Sequence, residues 1–206
     1  MIDRLRAVTG GHVSRETLER LELYANLLTE ESQRQNLVSA STLEGLWERH
    51  ILDSAQLVQF APRPTSSWVD IGSGAGLPGI VIATLIEGPV LLVEPRRLRA
   101  EFLQRCTDAL QLGSRVSVAI TKVEKVCGTF DVITARAVAN LDRLLGISTH
   151  LSTRKSLWVL PKGRSAQSEL AEARRNWHCD STSVPSCTDP NSEILVLRNV
   201  NARGGT

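Results

Sequence analysis

Trp68–Val69–Asp70–Ile71–Gly72–Ser73–Gly74–Ala75–Gly76–Leu77–Pro78–Gly79–Ile80 decides how the rest of the chain is read. Trp68–Ile71 has the composition of a buried strand, with the carboxylate of Asp70 near its end. Gly72, Gly74, Gly76 and Gly79 follow at close intervals, and Pro78 suits the first turn of a helix. Glycines at this density let the backbone adopt positive φ and come close to a ligand with no Cβ in the way. A strand, glycine turn and helix in this order hold a ligand.

Working outward, short apolar runs alternate with helical segments. Strands are predicted at 67–71, 90–94, 116–120, 130–135 and 156–160, with helices at 78–86, 97–112, 139–149 and 165–176. That alternation predicts an α/β fold with a mostly parallel sheet and helices on both faces. Two more strands, 177–184 and 193–198, are separated only by the turn-rich 185–191, so they should pair as an antiparallel C-terminal hairpin at the sheet edge. Asn201–Thr206 reads as a loose tail.

Upstream, residues 14–33 predict a helix: Ser14 is an N-cap, and Leu18, Leu21, Ala25 and Leu28 form one stripe. Ser41 and Glu44 have capping-box spacing and open a second helix running to about Phe60, stopped by Pro62 and Pro64. The expected division is an N-terminal helical extension, 1–62, packed on a core, 63–206.

The 206 residues are 42% hydrophobic and 22% charged, which suits a globular chain. No apolar run approaches the roughly 20 residues that span a bilayer, and Met1–Gly10 lacks a secretory pattern, so no membrane association and a cytoplasmic location are expected. Cys106, Cys127, Cys179 and Cys187 are scattered, as are His12, His50, His150 and His178; neither set has metal-ligand spacing, and no metal is expected. The net charge of +2 is unevenly spread: residues 1–62 carry six Arg against nine acids, and the remainder carries 18 basic against 13 acidic residues. A basic bias beyond the glycine turn is compatible with a phosphate-rich partner.

Two patterns overlap in the turn. Gly74, Gly76 and Gly79 satisfy a dinucleotide fingerprint, whereas Asp70, Gly72, Gly74 and Gly76 satisfy an acidic-glycine signature. A pyrophosphate at a helix N-terminus would be repelled by Asp70, while the cationic sulfonium and ammonium of adenosylmethionine would not. Glu94, at the end of the second strand, is placed to accept from ribose hydroxyls. Val123 and Glu124 follow the third strand, where an adenine ring would lie. Arg136 ends the fourth, where substrate groups gather. His50 and Asp53, three apart on a helix, are expected to hydrogen-bond and fix the helices to the core. An NAD(P)-dependent oxidoreductase of Rossmann type and a non-catalytic nucleotide-sensing RNA-binding protein remain the alternatives.

Asn36–Leu37, Arg49–Ser54, Asp70–Gly79, Val123–Glu124, Arg136–Ala137 and Lys162–Gly163 together resemble the successive motifs of the bacterial 16S ribosomal RNA guanine-N7 methyltransferases, the family also called glucose-inhibited division protein B. The resemblance covers roughly residues 18 to 198. It implies a Rossmann-like class I methyltransferase sheet, whose last strand is antiparallel, and S-adenosyl-L-methionine as cofactor. The reaction it implies is methylation of N7 of a guanine, at position 527 of 16S rRNA. The partner would be 16S rRNA or the small ribosomal subunit; separately, the chain is expected to be a monomer.

By that resemblance Gly72, Leu77, Val123, Glu124 and Arg136 line the cofactor site, joined on physical grounds by Asp70, Gly74, Gly76 and Glu94. Arg136 and Lys162 are candidates for substrate positioning, and Arg96, Arg97, Lys162 and Arg164 for RNA binding. Guanine N7 has a lone pair and no proton, so no catalytic base is expected.

Overall fold

Trp68–Ile71 forms strand β1, fully buried and paired in parallel on both sides. The computed structural model describes residues 1–11 and 13–204; His12, Gly205 and Thr206 lie outside the described residues, as do the side chains of Ala40 and Ser41. The neighbours of β1 are β2 (Val90–Val93) and β4 (Val132–Ala135), with Ile71 in register with Val93 and Ala135. Strands β3 (Val116–Ala119) and β5 (Leu157–Lys162) continue the parallel arrangement. Antiparallel β6 (Trp177–Pro185) and β7 (Glu193–Ala202) complete a seven-stranded sheet of order β3-β2-β1-β4-β5-β7-β6. The hairpin is present as predicted, and it joins the sheet through its second strand.

Successive strand residues point to opposite faces, so two cores form. Trp68, Leu92, Val132 and Val159 meet α5 (Gly79–Leu85) and α6 (Arg97–Ala109) on one face. Val69, Ile71, Ile133 and Trp158 meet α7 (Leu141–Ser148) and α8 (Ala166–Ala173) on the other. Strand order reverses between β1 and β4, and in open sheets of this type the ligand crevice lies there, beyond the carboxyl ends of the strands.

The N-terminal helices lie on the α5–α6 face. Leu5 of α1 (Ile2–Thr9) and Leu21, Tyr24 and Leu28 of α2 (Arg15–Ser32) share one apolar cluster with Ile80 and Phe102. Ser14 caps α2, its hydroxyl accepting from the Thr17 N–H at 3.0 Å. Helix α1 is an addition to the predicted elements.

The single helix predicted over 41–60 is instead four short pieces. These are α3 (Ala40–Glu44), a wide π turn (Leu46–Ile51), α4 (Leu52–Ala55) and a tight 3₁₀ turn (Gln56–Phe60). Gly45, the weakest helix former in the run, sits at the first break. The cap of α3 is Ser39, whose hydroxyl accepts from the Thr42 N–H, where Ser41 was expected.

Two boundary corrections bear on the site. Strand β5 runs on to Lys162, which pairs with Glu193 instead of standing beyond the strand. Asn201 and Ala202, expected in the tail, belong to β7, with Ala202 opposite Trp177. Among the described residues no helix is long and apolar enough to cross a membrane, and no cluster of His, Cys, Asp or Glu could hold a metal ion.

Candidate active site

Gly72, Gly74 and Gly76 have φ of 66°, 55° and 94°, so the turn after β1 uses backbone conformations that side chains disfavour. A Cβ on Gly72 would stand 2.7 Å from Val138 Cγ2, and one on Gly76 would stand 2.7 Å from Ile80 Cγ1. The loop is fastened from α2: the buried Tyr24 hydroxyl donates to the Ala75 carbonyl at 2.8 Å. Burial holds the Tyr24 phenol well above its ordinary pKa, with Cys106 and Asp70 adding to the effect and Arg136 opposing it. Sequence reading missed Tyr24. The available signal was one polar ring, the chain's single tyrosine, inside an apolar helical stripe.

The two acids are structural members of this cradle. Asp70 is 1% exposed, and its Oδ2 accepts from the Gly79 N–H at 3.1 Å, at the start of α5. Its Oδ1 is buried and has no hydrogen-bond partner among the described residues. Burial lifts the Asp70 pKa to about 7, against the opposing pull of Ser73, the Gly79 N–H and Arg136, while Glu94 pushes it further up. Glu94, also buried, receives the Gly74 N–H on Oε2 at 2.9 Å and the Arg96 N–H on Oε1 at 2.8 Å. It thereby ties the glycine turn to the exit of β2.

Beyond the ends of β1 and β2 lies a cleft of about 240 Å³, lined by Ile71, Gly72, Val93, Val123, Glu124 and Val138, among others. Three predicted cofactor residues, Gly72, Val123 and Glu124, therefore face one cavity. Gly74 and Glu94 are hydrogen-bonded to each other outside its lining, and Asp70, Gly76 and Leu77 are buried and do not line it. Val138 was not predicted as a wall.

Arg136 lies in a neighbouring cavity with Asp53, Lys162, Gly163 and Ser186. Its Nη1 meets His50 Nδ1 at 3.0 Å and stands 4.0 Å from Asp53 Oδ2. A guanidinium can only donate, so His50 Nδ1 carries the lone pair and the ring proton is on Nε2. Burial, reinforced by Arg136, lowers the His50 pKa to about 4, although Asp53 acts the other way. His50 is a neutral acceptor at physiological pH.

The expected His50–Asp53 hydrogen bond is not found; both side chains turn to Arg136. His50 lies in the π turn, where three-residue spacing no longer stacks side chains. Asp53 Oδ1 instead accepts from Gln56 at 2.8 Å and Thr188 at 2.8 Å, and Gln56 Oε1 accepts from the Cys187 N–H at 2.9 Å. These bonds fasten the β6–β7 loop to α4 and the 3₁₀ turn after it.

The predicted cations divide. Lys162 Nζ donates to Glu169 Oε2 at 2.8 Å and lies deep beside Arg136, so its charge is already paired. Arg97 pairs with Glu101 at 2.7 Å. Arg96 and Arg164 are exposed after β2 and β5, at the carboxyl end of the sheet where the cleft opens.

Sheet order, antiparallel last strand and glycine cradle define a class I methyltransferase fold. A methyltransferase from Geobacter sulfurreducens matches 85% of this chain and 87% of its own, with TM-score 0.60 and 16% identity. The ribosomal protein L11 methylase of Lactobacillus delbrueckii subsp. bulgaricus matches 75% and 79%, with TM-score 0.57 and 15% identity. At such identities the likeness is one of fold.

The particular family comes from closer relatives. The chain belongs to the rRNA small subunit methyltransferase G family, whose model matches residues 17–195. The ribosomal RNA small subunit methyltransferase G of Rhizorhabdus wittichii is 45% identical over 202 residues, 97% of this chain and 93% of the relative. That of Novosphingobium aromaticivorans is 47% identical over 191 residues, 91% and 83% respectively. A family of methyltransferases displaces the oxidoreductase reading.

Proposed function

We propose that this chain transfers a methyl group from S-adenosyl-L-methionine to N7 of a guanine, at position 527 of 16S rRNA. It would act as a cytoplasmic monomer, on 16S rRNA or the small ribosomal subunit, with residues 1–62 as an extension of a catalytic core at 63–206. The observation that carries this reading is the cradle itself: a glycine turn held by two buried carboxylates beside an apolar cleft, in a chain of this family.

The residues present fit the cofactor. Asp70 Oδ1 is a buried acceptor without a partner, suited to a cationic ligand, and the Glu94 oxygens have lone pairs left for ribose hydroxyls. Val93, Val123 and Val138 supply flat apolar walls for a purine. Adenosylmethionine supplies an electrophilic methyl on cationic sulfur.

The chain's own task is positioning. N7 of guanine presents its lone pair in the ring plane and carries no proton, so no side chain has to accept one. His50, neutral and already accepting from Arg136, is used to aim the guanidinium, and Asp53 balances its charge from the other side. Arg136 would then orient the nucleotide at the mouth of the cleft. Exposed Arg96 and Arg164 would meet phosphates, joined by Arg97 on release from Glu101, with Lys162 holding the wall behind them through Glu169.

A transfer assay with labelled adenosylmethionine on 16S rRNA lacking the modification tests the reading. Incorporation at guanine N7, lost on Arg136→Ala, is expected. Binding of RNA and cofactor without incorporation would leave the non-catalytic alternative standing.

A further inference from the structure

The other end of the sheet holds a further cavity. A groove of about 560 Å³ is lined by Phe60, Pro62, Arg154, Lys155, Leu157 and Arg198, among others. Leu157 opens β5, and Trp158 pairs with Leu197, which sets Arg198 beside that start. Arg154 and Lys155 occupy the turn just before it. The three cations therefore converge at the amino end of β5, whereas Lys162 and the Arg136 cavity lie at its carboxyl end. Six residues of strand separate the two, roughly 20 Å.

The charges there are unbalanced. Among the described residues no ion pair involves Arg154, Lys155 or Arg198, although most exposed arginines of residues 1–62 are paired, as in Arg4–Glu48 and Arg15–Glu19. Arg63 nearby is held by Asp131 at 3.5 Å. Asp180 stands opposite Arg198 in register, yet its carboxylate receives the amide of Asn199. Among the described residues no carboxylate lines the groove. Three like charges around a partly apolar floor repel one another unless an anion joins them.

We infer that this groove is a second binding site for the phosphodiester backbone of the RNA whose target base enters the cleft at the opposite end. The inference rests on the RNA-methyltransferase reading, because only a substrate longer than the sheet is high can reach both ends. RNA is favoured over an acidic protein segment because a single chain of regularly spaced phosphates would serve both ends. The contact is electrostatic and blind to sequence, so it sets affinity and orientation and leaves target choice to the cleft.

The test is salt dependence. Full-length protein and its Arg154→Gln/Lys155→Gln/Arg198→Gln variant are titrated with 16S rRNA over a salt series, with adenosylmethionine affinity measured alongside. The slope of log affinity against log salt should become shallower by about 2, since each phosphate contact contributes roughly 0.7–0.9. Cofactor affinity should be unchanged. Neutralising Arg15, Arg20 and Arg34 of the extension should leave the slope as it was. A slope equal to that of the unaltered protein overturns the inference; an unaltered protein that neither binds nor methylates this RNA overturns the functional reading beneath it. Lys155→Gln alone, on an exposed turn, should lower the slope by about 1 and keeps the test decisive if the triple variant folds poorly.

Discussion

The glycine cradle and the Arg136 clamp both place a functional group at the carboxyl end of the sheet, by opposite means. The cradle is made of backbone: three positive φ angles and N–H groups held by Asp70 and Glu94, with every part but Tyr24 and Val138 within about one βαβ unit. The clamp is made of side chains from distant segments, with His50 lying 86 residues before Arg136 and Asp53 lying 133 before Ser186. A backbone device is strained by a side chain at its glycines, most of all at Gly72 and Gly76, where a Cβ would meet Val138 and Ile80. A side-chain device can be taken apart, and partly restored, one hydrogen bond at a time.

The largest effect should come from the cradle. Gly76→Ala forces a side chain into φ 94° and against Ile80, costing about 3 kcal/mol of stability. Cofactor binding should fall about a hundredfold, read by urea unfolding and calorimetric titration. Ordinary stability and affinity in that variant would mean the turn is not the rigid element.

The clamp should show graded loss. His50→Ala should lower the turnover number by about a hundredfold, as expected when a positioned group drifts by about 1 Å. His50→Asn, whose side-chain oxygen can accept where Nδ1 did, should recover most of that loss at similar stability. Equal loss in both variants would assign His50 a purely packing role.

Asp70 gives a pH signature that the clamp lacks. With a folded pKa of about 7 against an unfolded value near 3.8, the folded state keeps a proton that the unfolded state has released. Stability of the cofactor-free protein should therefore fall as pH rises from about 4 to about 7, then level off. Affinity for the cationic cofactor should rise about tenfold from pH 6 to pH 8, and Asp70→Asn should remove that portion of the slope. A pH profile unchanged by Asp70→Asn would place the ionisable group elsewhere.

Tyr24→Phe should have the smallest effect. It leaves the buried Ala75 carbonyl without its donor, costing about 1 kcal/mol and weakening cofactor binding about fivefold. No change would separate the extension from the cradle.

The same contrast explains what could be read from the sequence. Short apolar runs, glycine punctuation and the loop before β7 are local signals, and they locate the strands with boundaries off by one or two residues in most elements. Glu94 could be placed near the glycine turn because its spacing from Gly72 is fixed by one strand–helix–strand unit. The 41–60 helix was misjudged because its leucines keep helical spacing through Gly45, and nothing local announces a π turn. Hydrogen bonds such as Tyr24 to Ala75 or Gln56 to Cys187 depend on how helices lie across the sheet, which no window of neighbouring residues encodes.

The latch at Ala75 has one more consequence. Tyr24 is the chain's single tyrosine, and burial holds its phenol in the neutral form well above its ordinary titration range. Phenolate absorbance in strong alkali thus has one source in the whole molecule. Its appearance would time the release of the glycine turn from α2, and bound cofactor would delay it, giving the protein an intrinsic optical clock for loop opening.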